Sequence, residues 1–337
     1  MAADAAKTAG MASSTGTAST TGMASTTGTA STTGTAGPAG LTTPAARAWI
    51  DRWDIQQQAY LPDREERFTA LIDAVAEASG RPDPLVLDLG CGPGSLSTRL
   101  LDRIPGATVI ALDADPVLLA IGRAAWPGRP GLRFTDCDLR APGWPDRIGL
   151  DRPADAAVST TALHWLAEPE LRAMYAELAL ALAPGGVVLD GDHLLEDAAV
   201  APTLARLGEA LIRREEQRRF PDGHPENWKS WWAAVLADPA LAGPVAERER
   251  RGFREDHHHG SETLHTHVSA LRAAGFAEVG TLWQRGANRL LCGVTGRSGQ
   301  ASQGQASQGQ ASQGQASQGQ ASQGQASQGQ ASQGQAS

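Results

Sequence analysis

Ten residues constrain this chain more than any others: Val86-Leu87-Asp88-Leu89-Gly90-Cys91-Gly92-Pro93-Gly94-Ser95, an apolar run that ends in an acid and a glycine-rich turn ahead of a helical pattern. Residues 85–89, bounded by Pro84 and Gly90, are predicted as a strand buried on both faces, which argues for a parallel sheet with helices on each side. Glycines in the turn let a ligand approach the backbone where a Cβ would intrude. Asp113, nineteen residues past Gly94, ends a second apolar run, where a carboxylate can accept two hydrogen bonds from a ribose diol. Loop and acid together point to an adenosine-type ligand.

Helical and strand patterns alternate around this segment. Trp49, Ile50 and Trp53 share a helical face. Pro62-Asp63 opens a second helix, with Asp63 and Glu66 spaced as a capping box and Phe68, Leu71, Ile72 and Val75 as its apolar stripe. Residues 95–104, 116–125 and 168–182 are predicted helical, and 107–112, 132–135, 156–160 and 187–189 as strands, the last following Pro184-Gly185-Gly186. Between 193 and 260 the alternation gives way to helices, among them a stripe of Val200, Leu204, Leu207 and Leu211 and a segment opened by Pro225 with Trp228, Trp231 and Trp232. Residues 264–274 then form a helix that Gly275 ends. The closing strands 279–283 and 290–294, joined around Gly286, are predicted antiparallel. In such sheets ligands bind at the carboxyl ends of the strands, where strand order reverses.

Composition sets the boundaries. Residues 1–44 are almost wholly Ala, Ser, Thr, Gly and Met, and the chain ends in a Gly-Gln-Ala-Ser-Gln repeat over 298–337. Neither stretch can bury a core, and both are expected to be disordered tails. Asp4 and Lys7 are the only charges in them, so the net charge of -8 falls on residues 45–297. So acidic a surface lacks the footprint for nonspecific binding to nucleic acid or anionic membrane. Three widely spaced cysteines, Cys91, Cys137 and Cys292, form no disulfide framework or metal motif. With no signal-peptide pattern and no apolar run of membrane-spanning length, a soluble cytoplasmic protein is expected; the sequence leaves the oligomeric state open.

A dinucleotide fingerprint would place its third glycine at 95, where this chain has Ser95. Asp88-Leu89-Gly90-Cys91-Gly92-Pro93-Gly94, with its spacing to Asp113, instead resembles motif I of class I S-adenosylmethionine-dependent methyltransferases. Phe134-Thr135-Asp136-Cys137-Asp138-Leu139, Leu163-His164-Trp165-Leu166, Leu182-Ala183-Pro184-Gly185-Gly186 and Ala274-Gly275-Phe276 extend the resemblance in order. It implies an α/β, Rossmann-like fold: a seven-stranded, mostly parallel sheet with an antiparallel last strand, helices on both faces and a helical insertion after strand five. Residues 45–297 would be the methyltransferase domain and 193–260 its lid. The resemblance implies S-adenosyl-L-methionine as cofactor, held by Asp88, Gly90, Gly92 and Gly94 at its methionine part, by Asp113 at its ribose and by Asp138, or Asp136 if the register slips, at its adenine. Tyr60 and Arg64 are implied candidates for the cofactor's carboxylate, the alternative being that they pack and pair on the surface.

Methyl transfer needs acceptor and methyl carbon aligned and water excluded, and needs a base only when the acceptor carries a proton. His164, after strand four, is the candidate base, with an orienting role as the alternative. Trans-aconitate and malonyl-thioester methyltransferases read Leu-Gln-Trp where this chain reads Leu163-His164-Trp165, a departure from their pattern. Trp165, Trp228 and Trp231 are candidates for the acceptor pocket, although tryptophans at helical spacing also serve as core. His257, His258 and His259 do not converge as a metal set, and no metal is expected. The expected partner is a small organic acceptor, a carboxylate being the leading class. The competing readings are a dinucleotide-dependent oxidoreductase and a non-catalytic cofactor-binding scaffold.

Overall fold

The computed structural model describes residues 40–61, 63–223, 226–253 and 263–297. The tails 1–39 and 298–337, Pro62, Pro225 and the run His257 to His259 lie outside them. In chain order the elements are α1 (Thr43–Tyr60), α2 (Arg64–Ser79), β1 (Leu85–Leu89), α3 (Ser95–Arg103), β2 (Thr108–Asp113), α4 (Pro116–Ala125), β3 (Leu132–Asp136), α5 (Trp144–Arg147), β4 (Ala154–Thr160), α6 (Glu168–Ala181) and β5 (Leu182–His193). After β5 come α7 (Pro202–Arg219), α8 (Trp228–Leu236), α9 (Ala242–Arg250), α10 (Leu264–Ala273), β6 (Phe276–Arg285) and β7 (Asn288–Thr295). None of the described helices is long and apolar enough to cross a membrane.

The seven strands form one sheet in the order β3-β2-β1-β4-β5-β7-β6. β1 to β5 run parallel, and β7 is antiparallel to both β5 and β6. The expected mixed sheet with an antiparallel end is therefore present. β1 is buried along its whole length because alternate residues enter different cores. Leu85, Leu87 and Leu89 join the cluster under α6 and α10, and Val86 joins the one under α2 and α3. In the second cluster Phe68, Leu71, Ile72 and Val75 of α2 cover Val187 and Leu189, each contributing about 1.5–3 kcal/mol by burial. A third cluster joins α1 to α4 and α8 through Trp49, Ile50, Trp53, Val117, Ile121, Trp231 and Trp232. Strand order reverses between β1 and β4, so the crevice for a ligand opens beyond Leu89 and Thr160.

Three local expectations are corrected. Asp63 precedes α2 but makes no side-chain cap. Its carboxylate accepts from Arg285 Nη1 at 2.6 Å and Arg219 Nη2 at 3.3 Å, while Glu66 accepts from Trp283 Nε1 at 3.2 Å; charged partners distant in sequence outcompete the local backbone donors. β5 is far longer than 187–189, because the Pro184-Gly185-Gly186 turn forms an irregularity within the strand and Asp190 and Asp192 extend it under cover of other elements. The helix bearing Leu204, Leu207 and Leu211 exists, yet these side chains are 58%, 45% and 55% exposed and only Ala205 of α7 is buried. Periodicity specified that helix without supplying a described surface to cover it.

Candidate active site

The loop after β1 is held by contacts that glycine alone permits. Gly90, Gly92 and Gly94 have φ of 68°, 56° and 89°. A Cβ on Gly90 would lie 2.4 Å from Ala162 Cβ, and one on Gly94 2.7 Å from the Phe134 ring. Gly90→Ala is expected to cost about 2–5 kcal/mol, strain and overpacking together, and to displace the turn before His164. Urea unfolding reads that loss, and an unchanged midpoint would refute the packing described.

Asp113, half-buried at the end of β2, latches this loop: one carboxylate oxygen accepts from Gly92 N–H at 2.7 Å and the other from Asp115 N–H at 2.8 Å. Each oxygen keeps acceptor capacity for a further donor. Asp88 is buried beneath the loop, where Oδ2 accepts from Ser97 Oγ at 2.5 Å and Oδ1 has no partner among the described residues. Burial pushes its carboxyl up to about 7 and that of Asp113 up to about 6. Between the ordinary carboxylate range and about pH 7 the folded chain thus holds protons that the unfolded chain releases, so stability falls as pH rises through that interval. Thermal unfolding of the free protein from pH 4.5 to 8 is expected to show that decline, and Asp88→Asn to flatten it; an equal slope in both proteins would contradict it.

Asp138 and Asp136 occupy the end of β3 and the turn after it. Asp138 is paired with Arg140 at 2.8 and 3.0 Å, and Asp136 with Arg251 at 2.6 and 2.9 Å. Arg64, also a sequence candidate, is withdrawn from solvent, its Nη1 donating to Asp54 Oδ1 at 2.9 Å and its guanidinium lying over Phe68. Asp54 also accepts from Ser95 Oγ at 2.7 Å and from Arg99 Nη2 at 2.9 Å, which ties α1 to the first turn of α3. Tyr60 is exposed, and its hydroxyl accepts from Trp228 N–H at 3.2 Å, docking α1 on the start of α8.

At the end of β4, Thr161 takes a left-handed φ of 51°, the one such non-glycine residue among those described. Strain of this kind is sustained where surrounding structure holds it; here Thr161 N–H donates to Gly191 O at 3.0 Å. The chain then turns through Leu163–Trp165, and His164 Nδ1 lies 2.8 Å from Asp192 Oδ2. Asp192, next to last in β5, is almost fully buried, and although burial acts to raise its carboxyl, His164 and Arg67 hold it well below the usual range. Arg67, fully buried, spans Gly191 and donates to Thr160 Oγ1 at 2.5 Å and Asn288 Oδ1 at 2.7 Å. Two residues before Asp192, Asp190 is pushed well up by burial and by that neighbouring carboxylate, and lies 3.2 Å from His267 Nδ1. Sequence reading missed Asp192, although the acid-glycine-acid string at a strand's carboxyl end marked it.

The tryptophans divide. Trp165 and Trp228 face each other with centroids 6.1 Å apart, and His164 lies 5.6 Å from Trp165, an aromatic row at the ends of β4 and α8. Trp231 is 0% exposed between Trp49 and Trp53, so this proposed pocket residue is core: its helical face meets α1 rather than the crevice. Cys91, Cys137 and Cys292 are free and buried. Burial pushes the Cys137 and Cys292 thiols up to about 11 and also raises that of Cys91 well above its ordinary value, opposite to a nucleophile's requirement. Among the described residues no three His, Cys, Asp or Glu side chains cluster as metal ligands.

The family described as "Methyltransferase domain" matches residues 86–186. Trans-aconitate 2-methyltransferase of Methylobacterium nodulans is 31% identical over 180 residues, 50% of this chain and 65% of its own length. The Rhizobium meliloti protein of the same name is 33% identical over 177 residues, 48% of this chain and 62% of its own. The chain thus spans less than two thirds of these relatives. Among solved structures, human N-acetylserotonin methyltransferase in complex with SAM aligns at TM-score 0.44 and 16% identity over 76% of this chain and 59% of that one, too distant to bear on function. Residues 86–186, the segment similar to the methyltransferase-domain family, carry the glycine loop, Asp113 and His164.

Proposed function

We propose that this protein transfers a methyl group from S-adenosylmethionine to a small organic acceptor. The observation that carries the reading is the convergence, at the point where strand order reverses, of the glycine loop, Asp113 and the His164–Asp192 pair. The residues fit the cofactor: close backbone at Gly90 to Gly94, residual acceptor capacity on Asp113 for a ribose diol, and the unpartnered Asp88 Oδ1 below the loop. When bound, the cofactor supplies an electrophilic methyl on a sulfonium. Asp113 would hold the sugar and fix the loop, and Asp138 would take the adenine side, each at the carboxyl end of its strand. Trp165 and Trp228 would wall the acceptor against water, beneath helices α7 to α9 as a lid. Trp231 serves this arrangement only by packing α8 on α1.

Two acceptor classes follow from separate observations. The trans-aconitate relatives favour a carboxylate, whose oxygen attacks without losing a proton. The His164–Asp192 pair favours an acceptor atom that carries a proton: with Nδ1–H given to Asp192, Nε2 is the basic nitrogen that would receive it. Incubation with labelled cofactor and two panels, small di- and tricarboxylates and small hydroxylated acids, tests both. Label transfer to either class supports the proposed activity, and the class labelled faster identifies the acceptor. No transfer to any member, with intact cofactor recovered, would count against the activity.

A further inference from the structure

Arg67 is fully buried near the start of α2, and burial lowers its guanidinium only to about 10, so it stays a cation at neutral pH. A buried cation is costly unless an anion compensates it. Its two bonded acceptors, Thr160 Oγ1 and Asn288 Oδ1, are both neutral. Thr160 pairs with Gly191 across β4 and β5, and Asn288 with His193 across β5 and β7. The guanidinium lies against β5 where that strand has no side chain: a Cβ on Gly191 would stand 2.8 Å from Arg67 Nε and 3.3 Å from Cζ. The charge is thus fixed beside the one residue that separates Asp190 from Asp192.

Asp190 faces His267 of α10, whose Nδ1 also lies 2.8 Å from the Tyr175 hydroxyl of α6. Burial and the neighbouring carboxylate favour the protonated form of Asp190, and burial keeps the Tyr175 hydroxyl protonated and favours neutral His193. That leaves Asp192 as the counter-ion of Arg67. Both Asp192 oxygens are engaged elsewhere, Oδ1 accepting from His193 N–H at 2.8 Å and Oδ2 facing His164 Nδ1 at 2.8 Å, so the cation acts on it through its field across Gly191. With His164 neutral, as a base must be before it accepts a proton, the His164–Asp192 pair carries one net negative charge; with His164 protonated it carries none. A fixed cation nearby favours the first state over the second. We propose that Arg67 is a positioning residue for methyl transfer, a counter-ion held behind β5 by Thr160 and Asn288 that keeps the His164–Asp192 pair in the form able to take a proton from the acceptor. As that proton passes to His164 Nε2, the acceptor's electron pair bonds the methyl carbon, and the sulfur keeps the electrons of the bond that breaks. This rests on the methyltransferase reading and on its proton-bearing class of acceptor. It also gives a reason for the glycine between the two acids, since a side chain at 191 would push the guanidinium away.

The test reads the imidazole directly. Full-length protein isotopically labelled at its eight histidines is titrated by NMR, and the resonance missing from His164→Gln is assigned to His164. In Arg67→Met the pH midpoint of that resonance should rise by about one unit or more over the parent. In Arg67→Lys, which keeps the charge, it should stay within about half a unit of the parent. Gly191→Ala keeps every charge but displaces the guanidinium, so it should move the midpoint in the same direction as Arg67→Met, and it decides the matter where that variant does not fold. With an acceptor whose reacting atom bears a proton, the acid limb of kcat/KM should move up with the midpoint. A residue that only packs would change stability and leave the midpoint in place. An unchanged or lowered midpoint in Arg67→Met or Gly191→Ala, or a lysine variant that shifts as far as the methionine one, would overturn the assignment. A parent that transfers no methyl group to either panel would remove the proposed function and this role with it, whereas a parent that does so while the variants leave the midpoint unmoved would remove the inference alone.

Discussion

With an acceptor whose reacting atom bears a proton, His164→Ala is expected to lower kcat about 10²–10⁴-fold while leaving cofactor affinity within about 2-fold, the usual contribution of a positioned base. The imidazole stands in the turn after β4, 2.8 Å from Asp192. Asp192→Asn should reproduce much of the loss, because an amide can no longer be relied on to keep the proton on Nδ1 and the lone pair on Nε2. With a carboxylate acceptor the same His164→Ala change should cost less than about 10-fold, since no proton leaves in the step. Single-turnover rates with one acceptor of each class read the difference. Equal losses on both would make His164 an orienting residue, and no loss on either would remove it from the chemistry.

Asp113→Ala is expected to weaken S-adenosylhomocysteine by about 2 kcal/mol or more, roughly thirty-fold. The change removes the acceptors for the sugar and also unhooks Gly92 and Asp115, whose N–H groups the carboxylate holds at 2.7 and 2.8 Å. Asp113→Asn keeps one acceptor oxygen and should fall between the two. Calorimetric titration separates the cases, and an alanine variant that binds as the parent does would exclude Asp113 from the site.

The fold was legible where its causes are local. The apolar run ahead of Gly90, the turn glycines and the spacing to Asp113 are short-range patterns, and β1, α3 and the end of β2 stand where they predict. The unread parts depend on partners far away in the chain. β5 looked short because Asp190, Gly191 and Asp192 do not resemble a buried strand, yet Arg67, His164 and His267 from three other elements surround them. Asp192 was missed for the same reason, its role being created by a histidine 28 residues earlier. The sequence leaves Arg64 open between the cofactor and the surface, and Trp231 between pocket wall and core; Asp54 holds the first and α1 covers the second. Side-chain periodicity gives the face of a helix; what meets that face is a property of the whole chain.

Parallel calorimetric titration of the parent protein with S-adenosylhomocysteine and with NADH tests the cofactor site most directly. The expected result is saturable, one-to-one binding of S-adenosylhomocysteine and no heat from NADH beyond dilution, because Ser95 stands where the dinucleotide fingerprint needs its third glycine. Saturable binding of NADH, or none of S-adenosylhomocysteine, would contradict it.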